Sequence, residues 1–590
     1  MKTSAKAALA LGAASTLLLA ACGEGGGSDT NVGGLEECDD NPNTCNSGER
    51  ADGGEIVVSI PQAWDGWFIN KSTSNSVYLR YPLSVIEPQT GGFLPDQTYE
   101  HDMEAMASEP ELISEDPMKV RYEFNPDAVW SNGEPIGSID DFLLEWYSST
   151  TDEELCSPTI DCDPVATSWG DNVESIEEND GGIEVTYAEG YLDPEWMIGV
   201  PITYPGSVAT EEGFDWKNDP EEMAKAIAWF DETVPTWSGG AYMIEEGSVE
   251  EGDAAKLTLV PNENWYGETK PTLDKIHINV IGNASSALTA FENGEVDVMF
   301  PRFEPAFAEQ IGDAERAVST IHDASVWEHI DFNTRSEFLD DVELRKAMMT
   351  AIDVQAIIDA TFGPYVEDME PRKNHVFSEN SPYFEDAISE SGTGSGDIDA
   401  AKKILEDAGY TGVGEKLMTP DGEEVKTFKM THGASAELRG IALNVAKDNL
   451  EELGISSEVV PNAPDEFGTS LSNGEFDMTL FGWSGTPAFA GTSFAYWATE
   501  GGNNYGGYSD EAVDAAAEKA LTTLDIDEAA KLENEAYKLA AEQYWVLPTL
   551  TQPNIVAWDK NLVNVRPNGS TQEISLYNVA EWGFKEGYEQ

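Results

Sequence analysis

Basic residues are what this 590-residue chain has least of. Only 32 Lys and Arg stand against 111 Asp and Glu, a formal net charge of -79. Without a basic stripe there is no footprint for a phosphate backbone, which excludes a nucleic-acid partner. The same negative field repels an anionic membrane surface. We read the acidity as a solvated surface suited to salty surroundings, in preference to a device that steers cationic ligands. Histidine is scarce too, with six in all: His101, His277, His322, His329, His375 and His432. Only His322 and His329 are near neighbours. The segment that ends at Phe332 reads as a strand, so satisfied or exposed imidazoles are preferred to a metal site. No G-K-[ST], H-E-x-x-H or G-x-S-x-G is present, so phosphate-loop, zincin and nucleophile-elbow chemistry have no sequence support. Acid pairs such as Asp140-Asp141 and Asp340-Asp341 arise by chance among 111 acids. A glycosidase pair is defined by separation across a cleft, which a sequence does not display. Asp39-Asp40-Asn41 lacks the Gly and terminal Glu of a calcium loop. No catalytic residue, metal site or cofactor is assigned.

What is present is enough apolar material for two or three cores: 40% hydrophobic residues, with 16 Trp and 22 Phe. Lys2 and Lys6 precede an apolar run over 7–21. It is too short to span a bilayer and right for the core of an export signal. Leu19-Ala20-Ala21-Cys22 resembles the bacterial lipobox, which implies a lipid on Cys22 and cleavage after Ala21. An ordinary signal with a bystander Cys22 is the rival. No other stretch reaches eighteen apolar residues. The expected organisation is a signal peptide over 1–21 and a Gly-, Ser- and Asp-rich tether over 22–53. Cys38, Cys45, Cys156 and Cys162 form two near pairs in an exported chain and are candidates for two small-loop disulfides. Spacing does not fix the pairing, and Cys38 and Cys45, placed in the tether, could be free.

The body alternates strands and helices. Strands are expected over 427–430, 457–460 and 476–481, with helices between them, an order that argues for a parallel sheet. Strand, helix and strand recur over 277–281, 285–291 and 296–300. Asn293-Gly294-Glu295-Val296-Asp297 is echoed by Asn473-Gly474-Glu475-Phe476-Asp477, a short repeat that fits two α/β lobes. Asp353 and Asp397 are expected helix caps. Residues 110–220 are irregular and read as an insertion.

Several phrases in order resemble the family-5 solute-binding proteins of ABC importers, the oligopeptide- and dipeptide-binding class. They are Trp130-Ser131-Asn132-Gly133-Glu134-Pro135 with Asp140-Asp141-Phe142, and Gly239-Gly240-Ala241-Tyr242 with Pro261-Asn262-Glu263-Asn264-Trp265-Tyr266-Gly267. Further along come Phe291 to Asp297, Asp331-Phe332-Asn333-Thr334, Val342 to Ala347 with Arg345, Ala351-Ile352-Asp353, Gly482-Trp483, and Asn503-Asn504-Tyr505. The resemblance implies a type II periplasmic-binding-protein-like α/β fold, with two lobes around a ligand cleft and an extra N-terminal subdomain. Lobe I is expected over 54–325 with an inserted subdomain at about 85–225, lobe II over 326–548, and a return to lobe I over 549–590. It also implies a monomeric receptor, lipid-anchored on the outer face of the cytoplasmic membrane. Such a receptor closes on a solute and delivers it to permease subunits served by a separate ATPase.

Ligands of open α/β sheets bind beyond the carboxyl ends of strands. The candidate site is therefore the loop after 476–481: Trp483, Ser484, Gly485, Thr486 and Phe489. Trp67, Ser74, Asn75, Trp497 and Asn504 are secondary candidates. Core packing is a serious rival for Trp483 and an equal one for Trp67 and Trp497. Peptide binders of this class usually carry Asp where this chain has Thr486. A hydroxyl does not replace that charge, so another acid such as Asp65 or Glu87 would have to meet a peptide's ammonium. The reading is thus an oligopeptide receptor, with a non-peptide solute (oligosaccharide, glycoside or chelated metal) as the alternative. A surface hydrolase and an adhesive envelope protein are weaker alternatives from other classes.

Overall fold

The computed structural model describes residues 38, 41–366, 368–485, 487–571 and 575–588. Cys22 and the segment 1–37, and Thr486, lie outside the described residues. The frame is a ten-stranded mixed sheet. Its order is Ser457–Asn462, Phe428–Gly433, Met478–Ser484, Ala317–Phe332, Val546–Asp559, Val298–Met299, Glu55–Ile60, Lys275–Val280, Lys256–Pro261 and Tyr242–Ile244. Two long antiparallel strands, Ala317–Phe332 and Val546–Asp559, form a ribbon through the middle. Parallel strands flank the ribbon on each side. The ladder between the ribbon strands is interrupted between Asp323 and Trp327 and again between Glu328 and His329.

Apolar side chains collect separately at the two ends of the ribbon. One large cluster holds Ile56, Val58, Ile278, Val298 and Trp558 together with Val120, Phe142, Trp216 and Phe230. The second holds Ile330, Phe332, Leu344, Met348, Met430, Leu443 and Leu480. The insertion folds as a four-stranded antiparallel sheet in the order Glu111–Glu115, Met118–Tyr122, Gly182–Tyr187, Val173–Asn179, and its apolar face shares the first cluster. This is a two-lobed α/β fold with an N-terminal subdomain on the first lobe.

Local rules place the helices. Asp353 caps Val354–Thr361 through the Ala356 N–H at 2.9 Å, and Asp397 caps Ile398–Asp407 through Ala400 at 2.9 Å. The echoed phrase has one role in both lobes. Asp297 accepts the N–H of Val57 at 2.9 Å, and Asp477 accepts that of Lys429 at 2.7 Å, so each fastens the start of the neighbouring strand. A cation steadies each carboxylate, Arg316 at 3.1 Å and Lys426 at 2.7 Å. The strand expected over 476–481 instead runs Met478–Ser484. Trp483 and Ser484 pair with Trp327 and Val326, so the ladder extends past the point where a loop was expected.

Candidate functional site

The ribbon is the only covalent floor between the lobes among the described strands, and its side chains alternate faces. On one face a cavity of about 670 Å³ opens over Asp323, Ser325 and Trp327. Lobe II supplies Arg372, His375, Ser378 and residues 485 and 487–488. The N-terminal subdomain supplies Asp96 and Gln97, and the returning segment supplies Gly569 and Ser570. The walls therefore come from both apolar clusters, and the floor is the bulged part of the ribbon.

Arg372 is the main electrostatic feature. It is 5% exposed, yet among the described residues it has no carboxylate within ion-pair reach. Its guanidinium donates to the carbonyls of Asn374 at 2.7 Å and Val376 at 3.3 Å, and to Thr551 Oγ1 at 3.0 Å. It lies 5.0 Å over the Trp327 ring. Burial holds its pKa below the ordinary value, but an arginine stays charged. Its direct hydrogen-bond partners are neutral, and the carboxylates of Glu379 and Asp323 act on it only at longer range, which leaves its remaining donors for an anionic group of a ligand. On the same cavity Asp323 is exposed and bears no ion pair among the described residues.

Two imidazoles complete the polar lining. Both ring nitrogens of His322 are buried without a partner among the described residues, and burial pushes its pKa down to about 4. His375 donates Nε2–H to the Val546 carbonyl at 2.9 Å, while its Nδ1 has no partner. Burial lowers it to about 4 as well, so both rings are neutral at pH 7. No cluster of metal ligands occurs among the described residues.

The residues singled out from sequence separate into groups. Gly485 lines the cavity, with its N–H on the Ser325 carbonyl at 2.8 Å. Trp483 sits just behind, stacked 4.6 Å from Tyr496, and it is Tyr496 that faces the cavity. Phe489 is buried against Phe377 and Tyr383, and Trp497 against His375. Asn504 clamps its own loop through the Ala498 and Tyr508 carbonyls at 3.0 and 2.8 Å. Trp67, Ser74 and Asn75 stand apart from the cavity, on the first lobe. Trp67 is in the first apolar cluster, Ser74 donates to Asp231 at 2.6 Å, and Asn75 donates to the Ile69 carbonyl at 3.0 Å. Of the two acids named as ion-pair alternatives, Glu87 pairs with Arg80 at 3.0 Å. Neither Glu87 nor Asp65 lines the cavity. The cysteines pair Cys38–Cys45 and Cys156–Cys162, with Cα separations of 5.0 and 5.9 Å. Sequence reading passed over Arg372, Asp323, Ser378 and Thr551, none of which sits in a phrase of its own.

The family model described as bacterial extracellular solute-binding proteins, family 5 middle, matches residues 103–505. The oligopeptide-binding protein OppA of Mycobacterium tuberculosis is 25% identical over 534 residues, covering 88% of this chain and 83% of that protein. Among solved structures, the periplasmic EDTA-binding protein EppA is 28% identical with a TM-score of 0.80, covering 92% of this chain and 99% of that one. The oligopeptide-binding protein AppA of Bacillus subtilis, solved with a nonapeptide, shares the fold at 17% identity and a TM-score of 0.67, covering 91% and 100%.

Proposed function

The chain belongs to family 5 of the bacterial extracellular solute-binding proteins, and from that premise we propose that it captures oligopeptides between its lobes and delivers them to an ABC permease. The observation that carries the peptide reading is a pair of opposite charges on one cavity, buried Arg372 and open Asp323. A peptide is a zwitterion in its backbone. Its carboxylate takes the free donor positions of Arg372, and its ammonium goes to Asp323, which replaces the acid missing at position 486. The cavity volume falls in the range of small-solute sites, about 300–1,000 Å³. We also place lobe I at 54–325 and 549–590 and lobe II at 326–548; on the ribbon the first apolar cluster takes Val318, Val556 and Trp558 and the second takes Ile330, Phe332, Leu547 and Leu550, so the change of cluster falls between 318 and 330 on one strand and between 550 and 556 on the other. No helix among the described residues is long and apolar enough to cross a membrane. The lipobox-like run ending at Cys22 supplies the attachment in this reading, by a lipid at the outer face of the cytoplasmic membrane.

A second reading has a specific observation behind it: EppA, similar over nearly its whole length, is an EDTA-binding protein. An aminopolycarboxylate or its metal chelate would also use Arg372, but it has no use for Asp323. Thermal-shift titration with a pool of short free peptides and with EDTA, alone and as a chelate, separates the two. The peptide reading predicts that peptides raise Tm in the wild type, that Arg372→Met lowers the affinity about tenfold or more, and that Asp323→Asn weakens peptides selectively. A shift with EDTA alone, indifferent to Asp323→Asn, replaces it with the second reading.

A further inference from the structure

Apart from contacts of the ribbon itself, the described hydrogen bonds that join lobe II to the first lobe and its subdomain fall at two places. At one, Gln97 and Ser378 exchange side-chain bonds of 2.7 and 2.8 Å. At the other, Glu195 of the N-terminal subdomain accepts the backbone N–H of Phe489 at 2.8 Å on one carboxyl oxygen and that of Ala490 at 2.9 Å on the other. Nearly 300 residues separate the partners, and Glu195 lies between Leu192 and Trp196, which pack on the first cluster, whereas Phe489 is in a lobe II cluster. Glu195 follows the subdomain's sheet, whereas Phe489 packs on Phe377 and Tyr383 at 5.2 and 5.5 Å in lobe II. The gripped amides immediately follow residues 487–488, which line the solute cavity. Adjacent N–H groups aimed at the two oxygens of one carboxyl form a two-donor clamp.

We infer that Glu195 is a positioning residue: its carboxylate latches the subdomain to the amides of Phe489 and Ala490, holding the cavity wall at 485–490 in place and the lobes shut. This rests on the reading that the lobes close on a solute, and it adds the bond that keeps them closed. Opening at the ribbon bulges carries the subdomain away from lobe II and must break the clamp. Of these two cross-lobe contacts among the described residues, Gln97–Ser378 does not titrate and the Glu195 clamp does.

The surroundings give the latch a pH dependence. The titratable groups around it are Asp193 on its own loop, Glu533 on Ile526–Glu542, and Tyr383, which donates to Asp527 at 2.9 Å and also feels Asp525. Glu533 accepts the Ser493 N–H at 3.1 Å, so two carboxyls bond to the short stretch of backbone 489–493. Burial raises Glu195 to about 7, with Asp193 adding to the rise, and burial raises Glu533 to about 7. Once the lobes part, Glu195 returns to water and to its ordinary range. The shut form therefore binds protons more tightly, and closure strengthens as pH falls from 8 towards 5.5.

The test needs no solute. Small-angle scattering of the free protein at pH 8 and 5.5 reads the lobe separation, and hydrogen exchange read by mass spectrometry reports the 489–490 amides. The expected result is a wild type that compacts at the lower pH. Glu195→Ala should be expanded at both pH values, with exchange at 489–490 about tenfold or more faster at one fixed pH. Glu195→Gln should lack the pH response, because it does not titrate. Gln97→Ala should keep it. The inference is overturned if the wild type is fully open at both pH values. It is equally overturned if Glu195→Ala and Glu195→Gln, folded by circular dichroism, match the wild type in size and exchange. A chain that never changes size under any condition, with or without the peptide pool, refutes the closing receptor itself rather than the latch.

Discussion

At the scale of single residues, the recognisable phrases and the cavity residues turn out to be different sets. The phrases are structural. Asp141 is buried and accepts N–H groups from Gly137 at 3.0 Å, Ser138 at 3.2 Å and Gly206 at 2.9 Å, with the Trp130 indole at 3.3 Å. Asn262 donates to the Gly240 carbonyl at 2.9 Å, and a Cβ on Gly240 would stand 2.0 Å from the Val85 carbonyl oxygen. Asn333 donates to Gly474 and Phe476 at 3.0 and 2.9 Å, and so ties one phrase to another. Such positions have one chemical solution, which makes them legible. Arg372 and Asp323 have no such local signature, because their roles come from the cavity around them. Asp141→Ala removes the acceptor from several buried N–H groups at once. It should lower stability by about 3 kcal/mol or more, read as the urea midpoint, with the slope unchanged.

At the scale of elements, the ribbon is what makes a binding device out of two α/β lobes. The bulges between Asp323 and Trp327 interrupt the ladder where the cavity floor lies. They give the ribbon fewer bonds to bend against at that point. The sequence placed the lobe junction at 325 through the resemblance, not through any breaker at that point. The segment ending at Phe332 reads as a strand with no mark of a bulge, because a bulge is a property of two partners. It also placed the end of the Met478–Ser484 strand too early, since Gly482 suggested a turn that pairing with Trp327 and Glu328 overrides. The returning segment fixes the ribbon from outside: a Cβ on Gly569 would lie 1.9 Å from the Asp323 carbonyl oxygen. Gly569→Ala must push that segment off the bulge. The expected cost is about 1–3 kcal/mol, seen as a lower Tm, together with a lobe separation by scattering that differs from the wild type. An unchanged Tm and scattering curve would mean that the segment is not seated on the bulge.

At the scale of the whole molecule, charge sets the response to conditions. Burial raises Asp141 to about 6 and Glu145, Glu195 and Glu533 to about 7. Their unfolded values are near 4. Over that range these four carboxyls hold more protons folded than unfolded; His322 and His375, lowered to about 4 by burial, act the other way below about 6.5, but four carboxyls outweigh two imidazoles, so stability falls as pH rises towards 7 and above. Self-repulsion from a net charge of -79 acts in the same direction, but salt screens it. Tm should therefore be higher at pH 5.5 than at pH 8, and added salt should raise it at pH 8. The pH difference should persist in high salt, because the buried carboxyls are beyond the reach of ions. A pH effect abolished by salt would assign it to the surface alone.

If the cavity over Asp323 and Arg372 takes peptides, native mass spectrometry of the protein purified without denaturation should show it. The expected result is a set of bound masses that fragment into amino acids in the wild type and are lost in Arg372→Met. A single bound mass matching an aminopolycarboxylate, a sugar or another non-peptide metabolite would contradict it.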